Sequence, residues 1–278
     1  MNILEFSSLV FLGSLLAGFL GAATGLGGGV VIVPLLVIGF GVDIRYAMGA
    51  SLVSVIATSS AAASAYVKEG FSNIRVGMFL EIATTIGAVV GAAVATSVSP
   101  SAIAIVFGLV LLYSSYQSGF SRHRDALPAE PDKLATRLGM NSEYPTPDGP
   151  EKYYVRAVPE GFGVMFIAGT LSGLLGIGSG ALKVIAMDQV MRLPFKVSTT
   201  TSNFMIGVTA AASAGVFLNR GYIDPGLSMP VMLGVLFGSL LGTHFLLSVS
   251  TRLLRIVFAV VILALAVEML YKGLTGGF

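Results

Sequence analysis

An all-α polytopic membrane protein is the fold class this sequence predicts, and three observations predict it. Of its 278 residues, 55% are hydrophobic and 11% charged, where soluble domains carry about a quarter charged residues. The apolar residues gather into runs long enough to cross a bilayer. Those runs occur twice, in the same order, on either side of a hydrophilic stretch.

A span needs about 20 apolar residues, because the hydrocarbon core is about 30 Å thick and a helix rises about 1.5 Å per residue. In the first half such segments lie near 3–23, 26–41, 46–67, 75–97 and 101–119. In the second half they lie near 160–175, 178–192, 197–218, 226–248 and 252–271. The stretch between them holds six of the eleven prolines and a dense mixture of charges, which excludes it from lipid. The chain thus divides into an N-terminal transmembrane repeat (1–120), a hydrophilic, cytoplasmic linker (121–159) and a C-terminal transmembrane repeat (160–278). The opening "MNILEFSSLVFLGSLLAGFLGAATG" has no basic start and no small-residue cleavage site, so the first segment is expected to stay in the mature protein.

One ungapped register relates the halves. The offset that carries Ser51 to Ser202 also carries Ala17-Gly18 to Ala168-Gly169, and Gly25, Gly27 and Gly29 to Gly176, Gly178 and Gly180. It carries Arg45 to Lys196, Thr58 to Thr209, Gly70 to Gly221 and the "SVS" at Ser97 to that at Ser248. Chance does not hold register over such a length, so the halves read as copies. With five elements per half, one side collects Lys68, Arg75, the linker's basic residues, Arg192, Lys196, Arg252 and Arg255, leaving Arg45, Lys183, Arg220 and Lys272 opposite. Four spans per half would weaken that asymmetry, so the cytoplasmic excess of Lys and Arg favours five. An odd number makes the copies inverted, with their broken helices meeting near the membrane midplane.

Several function classes are excluded. A formal charge of +2 with no basic run gives no nucleic-acid partner. The absence of cysteine removes disulfides, thiolate metal sites and iron–sulfur clusters, and no cofactor or metal site is expected. There is no GxxxxGK[ST] loop for ATP.

The candidate site lies at the glycine turns. "TGLGGG" (Thr24, Gly25, Gly27, Gly28 and Gly29 among it) and "GIGSG" (Gly176, Gly178, Ser179, Gly180) interrupt apolar helices at one repeat position. Non-helical backbone survives at membrane depth only inside protein or beside a wet cavity. Each turn leads into a new helix, whose N–H groups and positive dipole end suit an anion. The plain alternative is close helix packing by small residues, which is the better account of Gly87xxxGly91 and Gly238xxxGly242. Lys183 follows the second turn where the first copy has Ile32. It reads as a substrate counter-ion; an ion pair with Asp188 or snorkelling is the alternative. Ser51, Ser54 and Thr58 share one helix face, as do Ser202 and Thr209 roughly, and Asn203 adds an amide; Ser51, Ser202 and Asn203 are candidates to line the path. Each hydroxyl can instead bond back to its own helix. Glu81 and His244 are candidates for carrying a coupling proton. Glu81 near the headgroups beside Arg75, and His244 as a core residue, are the alternatives. Asp43, Asp224 and Glu268 fall near span ends and read as solvated.

The paired glycine motifs, "AMGASL" at Ala47 to Leu52, its counterpart "VSTTTSN" at Val197 to Asn203, and the duplicated helical chain resemble the TauE/SafE sulfite exporter family. The resemblance covers both halves and leaves out the linker. It implies transport of sulfite, organosulfonates or related small anions across the bacterial cytoplasmic membrane. It also implies about eight spans from duplicated four-span units, fewer than ten unless each broken segment counts once. Ser179 and Lys183 depart from the family pattern, which leaves the identity of the anion open. The function expected is therefore a secondary anion transporter, an exporter driven by the inside-negative potential, rather than an enzyme. An intramembrane serine hydrolase using Ser179 and His244, and a passive anion channel, are the alternatives. The partners expected are a small anionic substrate and the lipid bilayer, with the protein a monomer or homodimer.

Overall fold

The structure is a computed structural model that describes residues 2–24, 28–68, 71–120, 132–146, 149–178, 180–245 and 251–276. Among the described residues five helices are long and apolar enough to cross a membrane. The chain is a multi-pass membrane protein whose large apolar side chains lie on its outside as well as its inside. Leu16, Ile86, Ile167 and Val260 are all exposed, as a surface facing lipid requires.

Element order follows the apolar segments closely. The first half contains α1 (Ile3–Thr24), a short α2 (Gly29–Pro34) that continues as a π-helical turn (Leu35–Gly39), α3 (Ile44–Lys68), α4 (Ile74–Ala95) and α5 (Pro100–Phe120). Next come α6 (Lys133–Arg137) and a hairpin of β1 (Ser142–Thr146) and β2 (Gly149–Tyr153), antiparallel with Ser142 opposite Tyr153. The second half contains α7 (Val158–Leu175), α8 (Gly180–Ile185) with its π-helical continuation (Ala186–Val190), α9 (Phe195–Asn219), α10 (Pro225–Phe245) and α11 (Thr251–Thr275). The offset from Ser51 to Ser202 carries α2 onto α8, α3 onto α9 and one π-helical turn onto the other, residue for residue.

The helices pack across the halves. α1 lies on α10, α4 on α7, α5 on α11 and α3 on α9. Glycine lets the first two pairs approach closely. A Cβ at Gly87 would fall 2.3 Å from the Phe166 carbonyl oxygen, one at Gly173 2.0 Å from that of Ala88, and one at Gly238 2.0 Å from that of Leu15. Real Cβ atoms do not come so near backbone, so these helices touch only because the positions are Gly.

Contacts between loops sort them to two ends. At one end Arg45 donates to the carbonyls of Ala95 (3.4 Å) and Val98 (2.8 Å) and lies 5.7 Å from the ring centre of Tyr222. At the other, Arg75 donates to the Gly139 carbonyl, Lys196 lies 5.5 Å from the ring centre of Phe71, and the Arg156 N–H donates to the Met191 carbonyl. Residues 191–196 therefore sit at the linker's end. The cation and ring positions at the two ends, Arg45 with Tyr222 and Lys196 with Phe71, are themselves related by the repeat offset.

Within the expected linker, 121–159, the described residues include α6 and the hairpin. They are folded onto the membrane helices. Asn73 organises the junction: its side chain caps α4 by accepting from the Val76 N–H and donates to the Met140 carbonyl and the Tyr153 hydroxyl, each at 2.8 Å. The Asn73 N–H donates to the Thr201 hydroxyl on α9. Tyr153 is buried, and that burial raises its phenol above the usual tyrosine value although bonds to Asn73 and Ser142 pull the other way.

Candidate substrate-binding site

The two broken helices meet. A Cβ on Gly29, the first residue of α2, would lie 3.4 Å from the carbonyl oxygen of Ile177 in the second turn and 2.8 Å from Val55 Cγ2. A Cβ on Gly178 would lie 3.1 Å from Val55 Cγ1 and 2.9 Å from Ile206 Cγ2. Val55 thus touches both turns, and Ile206 is its repeat partner on α9.

The second turn shows why glycine is required. Gly176 ends α7 with φ +66° and donates its N–H to the Ser172 carbonyl at 2.8 Å. Gly178 has φ +73°. Both are left-handed conformations that side chains with a Cβ rarely adopt. A Cβ at Gly176 would also strike Met48 of α3, at 2.7 Å.

The serines expected to line the path hold the turns. The Ser51 hydroxyl donates to the Gly29 carbonyl at 3.5 Å, and the Ser202 hydroxyl to the Gly180 carbonyl at 3.2 Å. These are the same bond in the two copies, and both hydroxyls are buried. Ser54 and Thr58 bond back to carbonyls of their own helix, Ser51 O for the first and Ser54 O and Val55 O for the second. Asn203 is half-buried. Ser172, which the sequence reading passed over, is buried with a hydroxyl lacking a partner among the described residues, one turn before Gly176. Gly28 is buried against Val235 and Gly18. Gly25, Gly27 and Ser179, and the side chains of Thr24 and His244, lie outside the described residues.

Lys183 has a neighbour that the sequence did not point to. It is fully buried, so it does not snorkel, and the carboxylate placed beside it is Glu81 of α4, with Nζ to Oε2 4.0 Å. The Thr209 hydroxyl of α9 stands between them. It accepts from Lys183 Nζ and lies 2.6 Å from Glu81 Oε1 and 3.0 Å from the Met205 carbonyl. Its single proton serves the carboxylate best, the stronger acceptor. Thr85 adds a bond to Oε1 at 3.1 Å, while Oε2 has no hydrogen-bond partner among the described residues. Glu81 is therefore a buried residue rather than a solvated one beside Arg75. It faces inward, joined to the helix that the second turn begins. The repeat-related positions form no equivalent: Ile32 and Thr58 in the first half and Met232 in the second occupy them, and Thr58 bonds only within α3 among the bonds described.

With that geometry in place, comparison with known proteins decides the class. A family model described as Sulfite exporter TauE/SafE matches residues 10–269. The chain belongs to this family. A "Probable membrane transporter protein YunE" of Bacillus subtilis (strain 168) is 27% identical to this TauE/SafE chain, covering 98% of it and 99% of the relative. A "Probable membrane transporter protein" of Xylella fastidiosa (strain 9a5c) is 26% identical over 96% of each. Another such protein, of Methanocaldococcus jannaschii, is 24% identical over 96% of the chain and 98% of its own length. No solved structure matches. The protein is a membrane transporter of the TauE/SafE type.

Proposed function

We propose that the chain is a secondary transporter of a small sulfur-containing anion, sulfite or an organosulfonate, in the bacterial cytoplasmic membrane, working as an exporter. The observation that carries this reading is the junction of two glycine turns from opposite halves, each tied by a serine at the same repeat position. Such a junction gathers backbone N–H groups, hydroxyls and helix beginnings into one small region, the chemistry that replaces an anion's hydration shell. The serine bonds are long, so either hydroxyl can rotate from its carbonyl toward a bound oxyanion at little cost.

The two halves are read as inverted repeats. α3 runs from the Arg45 end to the linker end, α9 runs the other way, and a two-fold axis in the membrane plane relates them. Exchange of the two halves' conformations would open the turn junction to each side in turn. The relatives are named only as transporters, so the anion comes from the family description and the chemistry of the junction. Purified protein titrated with sulfite, methanesulfonate, sulfate, phosphate and chloride tests it. Thermal stabilisation by sulfite or methanesulfonate above chloride is expected, and an equal response to every anion would sink the reading.

A further inference from the structure

We infer that Glu81 and Lys183 form a proton-coupling site, where a substrate monoanion takes the place of Glu81 beside Lys183 while Glu81 accepts a proton. The inference rests on the anion-transport reading above and adds the coupling ion and its stoichiometry.

Charge accounting is the core of the argument. The pair is neutral as a unit and is shut away from water: Lys183 is fully buried and Glu81 nearly so. They are the buried charged side chains among the described residues. An anion brought to the Lys183 ammonium would leave a net negative charge in a low-dielectric interior, with the Glu81 carboxylate stripped of its partner. One proton on Glu81 removes that charge. The place for it is already present, because Oε2 is buried and accepts no hydrogen bond among the described residues, while Oε1 is held by Thr209 and Thr85.

Position and asymmetry agree. Lys183 lies one helical turn beyond Gly180, whose carbonyl Ser202 holds, and its flexible four-carbon stem lets the ammonium move from Glu81 toward the turn. The pair also joins the halves, since Glu81 comes from α4 and Lys183 and Thr209 from the second copy. Among the described contacts, no charged side chain but Lys183 is paired with the carboxylate. Thr209 comes from α9, whose Lys196 is exposed at its start; α7 brings Gly169 against Thr84 and carries Glu160, exposed in its first turn; Asp188 lies on the π-helical continuation of α8. The repeat-related positions hold Ile32, in the first half, and Met232, in the second. The repeat therefore supplies no second such pair, and the scaffold carries one proton per cycle.

The step balances. A proton from the solution facing the open site bonds to Glu81 Oε2, the ammonium keeps its protons, and the monoanion becomes the ammonium's partner. Release on the far side reverses each move. Empty and loaded sites then have the same charge, so the membrane potential does no work on the step, and anion and proton leave together down their summed concentration gradients. This replaces the potential-driven export that charge alone suggests.

The test measures protons. Calorimetry of methanesulfonate and sulfite binding to the solubilised protein, in two buffers of different ionisation heat, gives the protons taken up per anion. Proteoliposomes with an entrapped pH dye report the same ratio during flux. Wild type is expected to take up about one proton per methanesulfonate bound, and Glu81→Gln none. Lys183→Gln should weaken binding about tenfold or more. Anion binding by wild type without proton uptake overturns the coupling while the transport reading stands, and this holds whether or not the variants fold. Proton uptake by Glu81→Gln equal to wild type also overturns it. Failure of wild type to bind either anion overturns both.

Discussion

Removing Glu81 while keeping Lys183 should be among the most damaging single changes available in the membrane region. At 4.0 Å the charge separation corresponds to about 4 kcal/mol with the effective dielectric constant of about 20 that suits such pairs. Breaking a buried pair by deleting one partner commonly costs about 3–5 kcal/mol, since the remaining charge has lost its compensation. Glu81→Ala also takes the acceptor from Thr209 and Thr85. Glu81→Gln keeps an acceptor for both hydroxyls and should lose less. Glu81→Met with Lys183→Met removes both charges and should recover most of the loss, because two apolar residues can replace a buried pair without penalty. Thermal unfolding in a fixed detergent measures this, with about 2–4 °C expected per kcal/mol for a chain of this size. The expected coupling energy in the cycle is above about 2 kcal/mol. Single-mutant losses that simply add in the double mutant would refute the pairing.

Other changes separate packing from binding. Gly173→Ala places a Cβ 2.0 Å from the Ala88 carbonyl and should force α4 and α7 apart, losing about 2 kcal/mol or more, whereas Gly163→Ala on the same helix meets nothing within 4 Å and should be neutral in thermal unfolding. Ser51→Ala with Ser202→Ala should cost about 1 kcal/mol per site and weaken anion binding in the same titrations, and the two serines should behave alike because they make equivalent bonds. Asn73→Ala cuts the side-chain bonds to Met140 and Tyr153 and should expose residues 132–157 to limited proteolysis before the membrane helices unfold. The raised Tyr153 phenol means that the folded cap, formed by the described residues of 132–157, holds that proton more tightly than the unfolded chain does. Its contribution is full below the ordinary tyrosine value of 10.0 and is lost as pH rises through the folded value, so alkaline solution should loosen the cap first.

Most of the helices were legible because lipid exposure demands apolar runs of a set length, and the duplicated register placed each run twice. Even the short second element was readable, since glycines on one side and polar residues near Asp43 on the other bound it. Close approach at Gly87 and Gly91 was visible in their spacing. The folded cap was not legible. Its hairpin is short and its order comes from Asn73 and Tyr153, contacts between distant parts of the chain that no local pattern announces. The partner of Lys183 was missed for the same reason: Asp188 is near in sequence, whereas Glu81 is brought close by packing of α4 on α7 and α9. The one available signal was that Ile32, Thr58 and Met232 in the other positions left two unmatched charges, one in each half.

The central claim is that the junction of the two turns binds a small sulfur anion. A thermal-shift titration of the wild-type protein and of the Ser51→Ala, Ser202→Ala double variant, over the same anion panel, tests it most directly. Selective binding stabilises by about 2.7 kcal/mol at a concentration of a hundred dissociation constants. The prediction is a rise in melting temperature with sulfite or methanesulfonate, smaller with chloride, and reduced in the double variant. A shift equal for all anions, or one the double variant keeps unchanged, would contradict it.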